Sequence, residues 1–393
     1  MTPLTVTAWT ATSAAGAGRG ELLAALRTRT SGLRPNDFGP APLTTWIGRV
    51  AGVEDCVLPA ALQRWECRNN RLAWLGLQAD GFLTQAAAAR DRYGADRVAL
   101  VVGTSTSSIG ASEEAYARLD SQGQFPVDLQ RPVVHTPHSL GDFLQHALGL
   151  TGFALTVATA CSSSAKVFAQ AERLIAAGIA DAAIVGGVDS LCGSVLFGFN
   201  SLELISRDKC RPFDPERRGI NIGEAAGFAL LEKRGDGPRL IGFGESSDAH
   251  HMSSPHPQGR GARAALEAAL ERASLPASAV GYINLHGTSS QKNDEIEARV
   301  VAQLFPEATH ASSTKGWTGH TLGAAGILEA VITLLALETG LLPGTLNTES
   351  LDGDCGPQIR LGNADSAVDY ALSNSFGFGG SNCVLAFGAR HTH

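Results

Sequence analysis

Short runs rich in β-branched and apolar residues alternate along this chain with longer helical patterns, and that alternation restricts it to layered α/β architectures. The patterns predict strands over Leu4–Ala8, Val98–Val102, Phe153–Val157, Ala182–Val185, Gly227–Glu232, Tyr282–Leu285, Tyr370–Asn374 and Cys383–Phe387. They predict helices over Gly20–Arg27, Arg71–Ala89, Ser163–Ala177, Gly261–Ala273, Asp294–Leu304 and Gly323–Gly340. A length of 393 residues exceeds what one simple core needs and suits two packed units or a duplicated domain. The stretch EKRGDGPR, Glu232 to Arg239, is charged and glycine-containing after a strand, so we divide the chain there. The N-terminal half is then 1–238 and the C-terminal half 239–393. The halves run loosely parallel. Cys161 opens an alanine-rich helix after one strand, and STKGWTGHTLGAAGILEAV leads into another of similar composition.

Composition narrows the class. With 44% hydrophobic and 18% charged residues the chain has ample material for a globular core. A formal charge of −7 argues against general nucleic-acid binding while leaving room for a local basic patch. The seven cysteines are scattered without a CxxC pair, which fits a reducing cytosol and disfavours a disulfide framework or zinc ribbon. The start, MTPLTVTAWTATSAAG, shows neither the basic region nor the apolar core of a signal peptide. The most apolar stretch, ILEAVITLLALETGLL, is interrupted by Glu329 and Glu338. The expectation is a cytoplasmic protein without membrane insertion.

The chemistry centres on TACSSSAKV, Thr159 to Val167. From Ser163 to Ala177 apolar residues fall on most faces, so the helix is buried nearly all round. Cys161 stands at its N-terminal end, where free N–H groups and the macrodipole favour an anion and would ease ionisation of a thiol. Two histidines sit in Gly/Thr-rich turns: His286 at a strand end in NLHGTSSQKND, and His320 before a helix in SSTKGWTGHTLGAAG, with Lys315 five residues upstream. Near the C-terminus, the glycines of SNSFGFGGSN could turn main-chain N–H groups inward to hold an oxyanion.

These segments resemble the elongating β-ketoacyl-acyl-carrier-protein synthases, synthases I and II. The resemblance spans nearly the whole chain, in TACSSSA, RPFDPERRGINIGEAAGFALLEK, SSDAHHMSSPHPQGRG, LHGTS, KGWTGHTLGAAGILEA and NSFGFGGSN. It implies a thiolase-like α/β fold of five layers, α-β-α-β-α, built from two duplicated halves and usually a homodimer. It gives Cys161 the role of acyl-accepting nucleophile. His286 and His320 become the pair that supports decarboxylation of malonyl-carrier protein. The main-chain N–H groups of Cys161 and Phe378 become the oxyanion donors, with the Phe378 ring as a gate. Lys315 and Glu329 match a structural ion pair, and Thr288 and Ser290 the pantetheine-binding positions. Arg64, Arg68 and Arg71 lie where the family meets its acidic carrier protein. No cofactor or metal is implied, since substrates travel on the carrier's phosphopantetheine.

Other readings stand beside these. Lys315 also reads as a helix-flanking charge, Phe378 as core, and the three arginines as a solvated helix face. Cys383 reads as core, and His250, His251 and His256 as loop residues at the pocket mouth, their spacing fitting no tidy ligand set. A non-catalytic chain-length-factor subunit, possibly one half of a heterodimer, would keep the fold but normally lack the nucleophile. A thiolase would need a second cysteine near the C-terminus, for which Cys383 is poorly placed. Departures from the family pattern (Trp9, Arg218, Ala226 and the loop SSQKND) remove no catalytic group and point to a specialised enzyme of fatty acid, polyketide or polyene synthesis, such as an aryl polyene.

Overall fold

The computed structural model describes residues 1–390 and 392. Ten strands carry the architecture. The first half supplies β1 (Leu4–Ser13), β2 (Val98–Gly103), β3 (Ala154–Val157), β4 (Ala182–Asp189) and β5 (Ala225–Glu232). The second supplies β6 (Arg239–Ser247), β7 (Tyr282–Asn284), β8 (His310–Ser312), β9 (Tyr370–Gly377) and β10 (Ser381–Gly388). Each half sets its strands in one spatial order, β3-β2-β4-β5-β1 and β8-β7-β9-β10-β6. The directions repeat too: the last strand of each half runs antiparallel to both neighbours, and the other inner pairs are parallel. The two sheets join along β1 and β6, where Leu4 faces Leu240 and Thr5 faces Arg239.

Helices fill the spaces between and outside the sheets. They are α1 (Gly18–Thr28), α2 (Arg68–Gln78), α3 (Phe82–Tyr93), α4 (Ile109–Ala117), α5 (Ser139–Leu148) and α6 (Ser163–Ala176). Then come α7 (Gly193–Ser201), α8 (Arg260–Ala273), α9 (Gln291–Leu304), the single turn α10 (Lys315–Thr318) and α11 (Ala325–Thr339). Period-2 alternation assigns the layers. On β4, Ala183 and Val185 pack with α6 and α11, while Ala182, Ile184 and Val188 face α2, α3 and α5. On β10, Cys383, Leu385 and Phe387 share the α6–α11 core, and Val384 and Ala386 face α8 and α9. The result is the α-β-α-β-α stack of the thiolase-like fold, with α6 and α11 in its middle layer.

That position explains the composition of α11. A helix covered on both sides has no solvent face, and every residue from Ala325 to Ala336 is buried. Leu322–Thr339 has the length and apolarity of a membrane span, yet 89% of it lies inside the protein. The two middle helices touch at main-chain distance. A Cβ on Gly326 would sit 2.4 Å from the Ala165 nitrogen, and Ser164 Oγ accepts the Ile327 N–H at 2.9 Å.

One predicted element divides in two. The helix expected over Arg71–Ala89 breaks at Ala79–Gly81, where Asp80 takes φ +52° and Gly81 φ +69°. Asp80 Oδ2 there accepts Thr10 Oγ1 and the Arg19 N–H, both at 2.8 Å, and so ties the break to β1 and the start of α1. Two departures from the family pattern also find partners. The Arg19 guanidinium lies 4.8 Å over the Trp9 ring, and the Ala226 methyl meets Gly76 of α2, where no second Cβ would fit.

Candidate active site

Cys161 and His320 occupy equivalent places. Each follows the third strand of its half and precedes a middle-layer helix, so the duplication aims both at one point between the sheets. His320 Nε2 lies 2.9 Å from Cys161 Sγ. The His286 and His320 rings stand edge to face, 5.4 Å apart at 85°. All three side chains are buried, with Cys161 4% exposed, at the inner end of a cavity of about 560 Å³.

The serines of TACSSSAKV hold the turn that carries Cys161. Ala160 adopts φ +52°, a left-handed conformation that costs a residue with a Cβ about 1 kcal/mol or more. Hydroxyls around it compensate: Ser163 Oγ donates to Ala160 O at 2.6 Å and accepts the Thr159 N–H at 2.9 Å, while Ser162 Oγ donates to Thr159 O at 2.9 Å. Ser164 reaches across to α11. The strained turn thus projects Cys161 ahead of the helix into the cavity.

The thiol departs from expectation. Burial pushes Cys161 up to about 12, against the lowering effects of the nearby Lys315 charge and the Phe378 main-chain N–H. Proximity to the helix end does not outweigh the loss of water, so the resting group is a thiol and not a thiolate. Both imidazoles are held well below the usual histidine value, first by burial and then by Lys315. They are neutral at pH 7. A neutral His320 can take the thiol proton during attack, which a resident thiolate would not require.

Lys315 is no helix-flanking charge. It is 2% exposed, and Nζ donates to Glu329 Oε1 on α11 and to the His286 carbonyl. Burial raises the Glu329 carboxyl to about 7 against the pull of Lys315. Phe378 is half-buried, with its ring 5.5 Å from Phe199 at the cavity wall. Thr288 and Ser290 also line the cavity, their hydroxyls 2.9 Å apart. Cys383 is fully buried on β10, away from the cavity. The loop of His250, His251 and His256 borders the mouth through Ser253, Ser254 and Pro255, not through the histidines.

Two of the three expected docking arginines are occupied inside the protein. Arg68, with its side chain 15% exposed, binds the buried carboxylate of Glu224 and also Glu54 at 2.9 Å. Arg71 pairs with Glu66 at 3.0 Å and donates to the Val53 and Glu54 carbonyls. A guanidinium committed to a buried carboxylate has no free charge for a partner, so Arg68 is withdrawn from that patch, whereas Arg71 pairs with a carboxylate that is itself partly exposed. Arg64 alone stays at the surface, 3.8 Å over the Trp65 ring.

Sequence reasoning missed two carboxylates. Glu297, on α9, accepts the His286 N–H at 2.8 Å, the Gly287 N–H at 2.7 Å and Asn374 Nδ2 at 3.0 Å, fixing the main chain that carries the imidazole. Its spacing three residues after Asp294 in DEIEA, one face of a helix just after LHGTS, was the available signal. Asp189, at the end of β4, accepts from Thr104, Ser105 and Thr106 at 2.6–3.0 Å and from the Gly323 N–H at 2.6 Å. It thereby couples the TSTSS turn to the segment after His320.

The thiol and two imidazole nitrogens lie within 4.8 Å of one another, a donor set that could approach a soft metal. The Lys315 ammonium beside them lowers both imidazoles and would oppose a cation equally. The donors instead suit acyl transfer, with a nucleophile, an adjacent base and a second imidazole facing one cavity. A duplicated five-layer α/β fold with that centre defines a condensing acyltransferase.

Comparisons with known proteins fix the family. Residues 69–236 match the Beta-ketoacyl synthase, N-terminal domain, and residues 239–349 the Beta-ketoacyl synthase, C-terminal domain. The chain belongs to the β-ketoacyl synthase family and is an enzyme of the acyltransferase class. It is 35% identical to 3-oxoacyl-acyl-carrier-protein synthase 2 of Vibrio cholerae over 61% of this chain and 63% of that one. It is 34% identical to the Vibrio harveyi protein of the same name, over 75% of each chain. Among solved structures, a ketosynthase (ApeO) in complex with its chain length factor (ApeC) from Xenorhabdus doucetiae includes a chain that superposes with a TM-score of 0.88 at 36% identity, covering 99% of this chain and 98% of that one.

Proposed function

We propose that this protein elongates carrier-bound acyl chains by decarboxylative condensation. The observation that carries the reading is the 2.9 Å contact between Cys161 Sγ and His320 Nε2 at the inner end of the cavity, with His286 beside it. In the first half-reaction Cys161 attacks the thioester of an acyl-carrier protein as His320 accepts its proton. The oxyanion is held by the Cys161 and Phe378 N–H groups, and the departing pantetheine sulfur takes the proton back. In the second, malonyl-carrier protein loses carbon dioxide. Its enolate oxygen accepts from the neutral imidazole N–H groups of His286 and His320, and the carbanion attacks the acyl-Cys161 carbonyl. Lys315, Glu329 and Glu297 position the imidazoles, and Thr288 and Ser290 face the pantetheine arm. The catalytic set of this reading is Cys161, His286 and His320.

Retention of all three disfavours the non-catalytic subunit, and the burial of Cys383 disfavours a thiolase. The pathway we favour is a specialised polyketide or polyene one, supported by 36% identity across 99% of this chain to a member of a ketosynthase–chain-length-factor complex. The partner is then a second subunit of the same fold. β3 supports this: it ends its sheet, and it bonds to β2 through the Phe153 and Val157 carbonyls. Strand alternation turns the Ala154 and Thr156 main-chain groups outward, free to pair with another strand.

Separating the half-reactions tests the roles. His286→Ala should still accept an acyl chain on Cys161, read by intact-protein mass spectrometry, while carbon dioxide release from malonyl-carrier protein falls by about two to three orders of magnitude. Cys161→Gln should show the converse, no acylation with decarboxylation persisting. If His286→Ala lost acylation and kept decarboxylation, the assignment would be reversed.

A further inference from the structure

The thiol and its base come from different halves of the chain, so His320 has to be held in register with the sheet that carries Cys161. The imidazole has no anchor at its far nitrogen: His320 Nδ1 is buried and meets no partner among the described residues. The main chain on either side then orients the ring. On the N-terminal side the His320 N–H donates to the Asn221 carbonyl at 2.7 Å, and the His320 carbonyl accepts the Gly223 N–H at 2.9 Å. On the C-terminal side the fixed point is Asp189, which accepts the Gly323 N–H at 2.6 Å. Asp189 is fully buried at the end of β4, and its six donors are all uncharged N–H and hydroxyl groups. Five of them belong to Thr104, Ser105 and Thr106, with successive N–H groups forming a nest around the carboxylate. Residues with a Cβ take left-handed backbone in both segments it holds, Ser107 at φ +47° and Leu322 at φ +57°. A Cβ on Gly323 would lie 2.6 Å from both Asp189 Oδ2 and the Ser105 nitrogen, so the two turns meet at main-chain distance.

We infer that Asp189 is a positioning residue for His320, a first-half carboxylate that grips the segment carrying the second half's base and so sets the imidazole-to-thiol distance. The inference rests on the condensing-enzyme reading, because that reading makes His320 both the base for acylation and a donor to the enolate. Strained turns on two sides of one carboxylate persist only while it accepts from each. An amide is no substitute. It has one acceptor oxygen, and its NH2 would face either the Gly323 N–H or the Thr106 N–H, donor against donor. Ser105 completes the arrangement: its Oγ donates to Asp189 Oδ2 at 2.7 Å and accepts the Gly323 N–H at 3.3 Å. Release of Gly323 frees the stretch that follows His320, and the ring moves with it because nothing grips Nδ1. A misplacement of about 1 Å costs roughly a hundredfold in rate.

Two assays share His320 and differ in the thiol: self-acylation from an acyl-carrier protein, and carbon dioxide release from malonyl-carrier protein by Cys161→Gln. Asp189→Asn should lower the maximal acylation rate about ten- to a hundredfold with KM little changed. Added to Cys161→Gln, it should lower decarboxylation by a similar factor. Ser105→Ala, which keeps the carboxylate, should lower both rates by a smaller factor, and Ser105→Thr, which restores the hydroxyl, should recover most of that loss. Should Asp189→Asn not fold, the two Ser105 variants decide the matter by the same comparison. Lost acylation with decarboxylation untouched would place the effect on the Cys161 turn and overturn the assignment. A raised KM at an unchanged maximal rate would place it on substrate binding and overturn it too. So would a lowered urea midpoint with both rates intact, since a merely structural carboxylate behaves that way. If the unaltered protein were not acylated and Cys161→Gln released no carbon dioxide, the condensing-enzyme reading would fall first.

Discussion

At the scale of single residues, proton affinity sets this site apart from an activated cysteine. A free thiol with a pKa of about 8.5 gains reactivity as pH rises through 8 to 9, but Cys161 is pushed up to about 12 and gains nothing there. His320 must be unprotonated to accept the thiol proton, and its depressed affinity keeps it so until the pH is well below 6.5. The rate of acylation per enzyme should therefore be flat between about pH 8 and 6.5 and fall only on further acidification. Removing the Lys315 charge takes away a cause of that depression, so Lys315→Met should raise the His320 affinity and move the acid limb to higher pH. A stopped-flow pH profile of both proteins checks the sign. A limb moving to lower pH would mean that Lys315 does not act on His320 through its charge.

At the scale of elements, the separation of α6 and α11 sets the separation of thiol and base. Cys161 precedes one helix and His320 the other, and the helices meet where Gly326 faces Ala165 and Ser164 accepts from Ile327. Gly326→Val has no space to relax into, because its obstacle is main chain and not a movable side-chain end. Overpacking of this kind costs about 1–3 kcal/mol, so the urea midpoint should fall. The acylation rate should fall further than the lost stability explains, since the push widens the Sγ–Nε2 contact. Gly178→Ala, at an open glycine just beyond the C-terminal end of α6, supplies the comparison for rate, although its φ of +71° carries its own backbone cost. Unchanged acylation in folded Gly326→Val would show that the helix contact does not set the site geometry.

At the scale of the whole molecule, the sheet is unfinished at β3. The Thr156 N–H points away from β2, so proline at this position removes a donor that the ladder inside the subunit does not use. Thr156→Pro should leave the circular dichroism spectrum native-like and convert the protein, or its complex with a partner subunit, to monomers in light scattering. Persistence of the full assembly would place the interface elsewhere. Of the two strands that end the sheet, β8 is already bridged on its outer side by Ile359, and β3 lies directly before the turn that carries Cys161. Association there would stiffen the segment from Val157 to Cys161 and couple assembly to catalysis.

The sequence by itself determined the alternation of strands and helices, the buried character of α6 and α11, and the placing of Cys161, His286 and His320 in turns at strand ends and helix starts, because periodicity and short-range turn chemistry are local. Tertiary structure decided the rest. Only packing revealed that burial overrides the helix end at Cys161, because desolvation depends on what covers the thiol from other parts of the chain. Only packing turned Arg68 from a surface charge into the partner of Glu224, 156 residues away. Glu297 and Asp189 became supports of the site in the same way, since a carboxylate's role follows from the N–H groups that the fold brings to it.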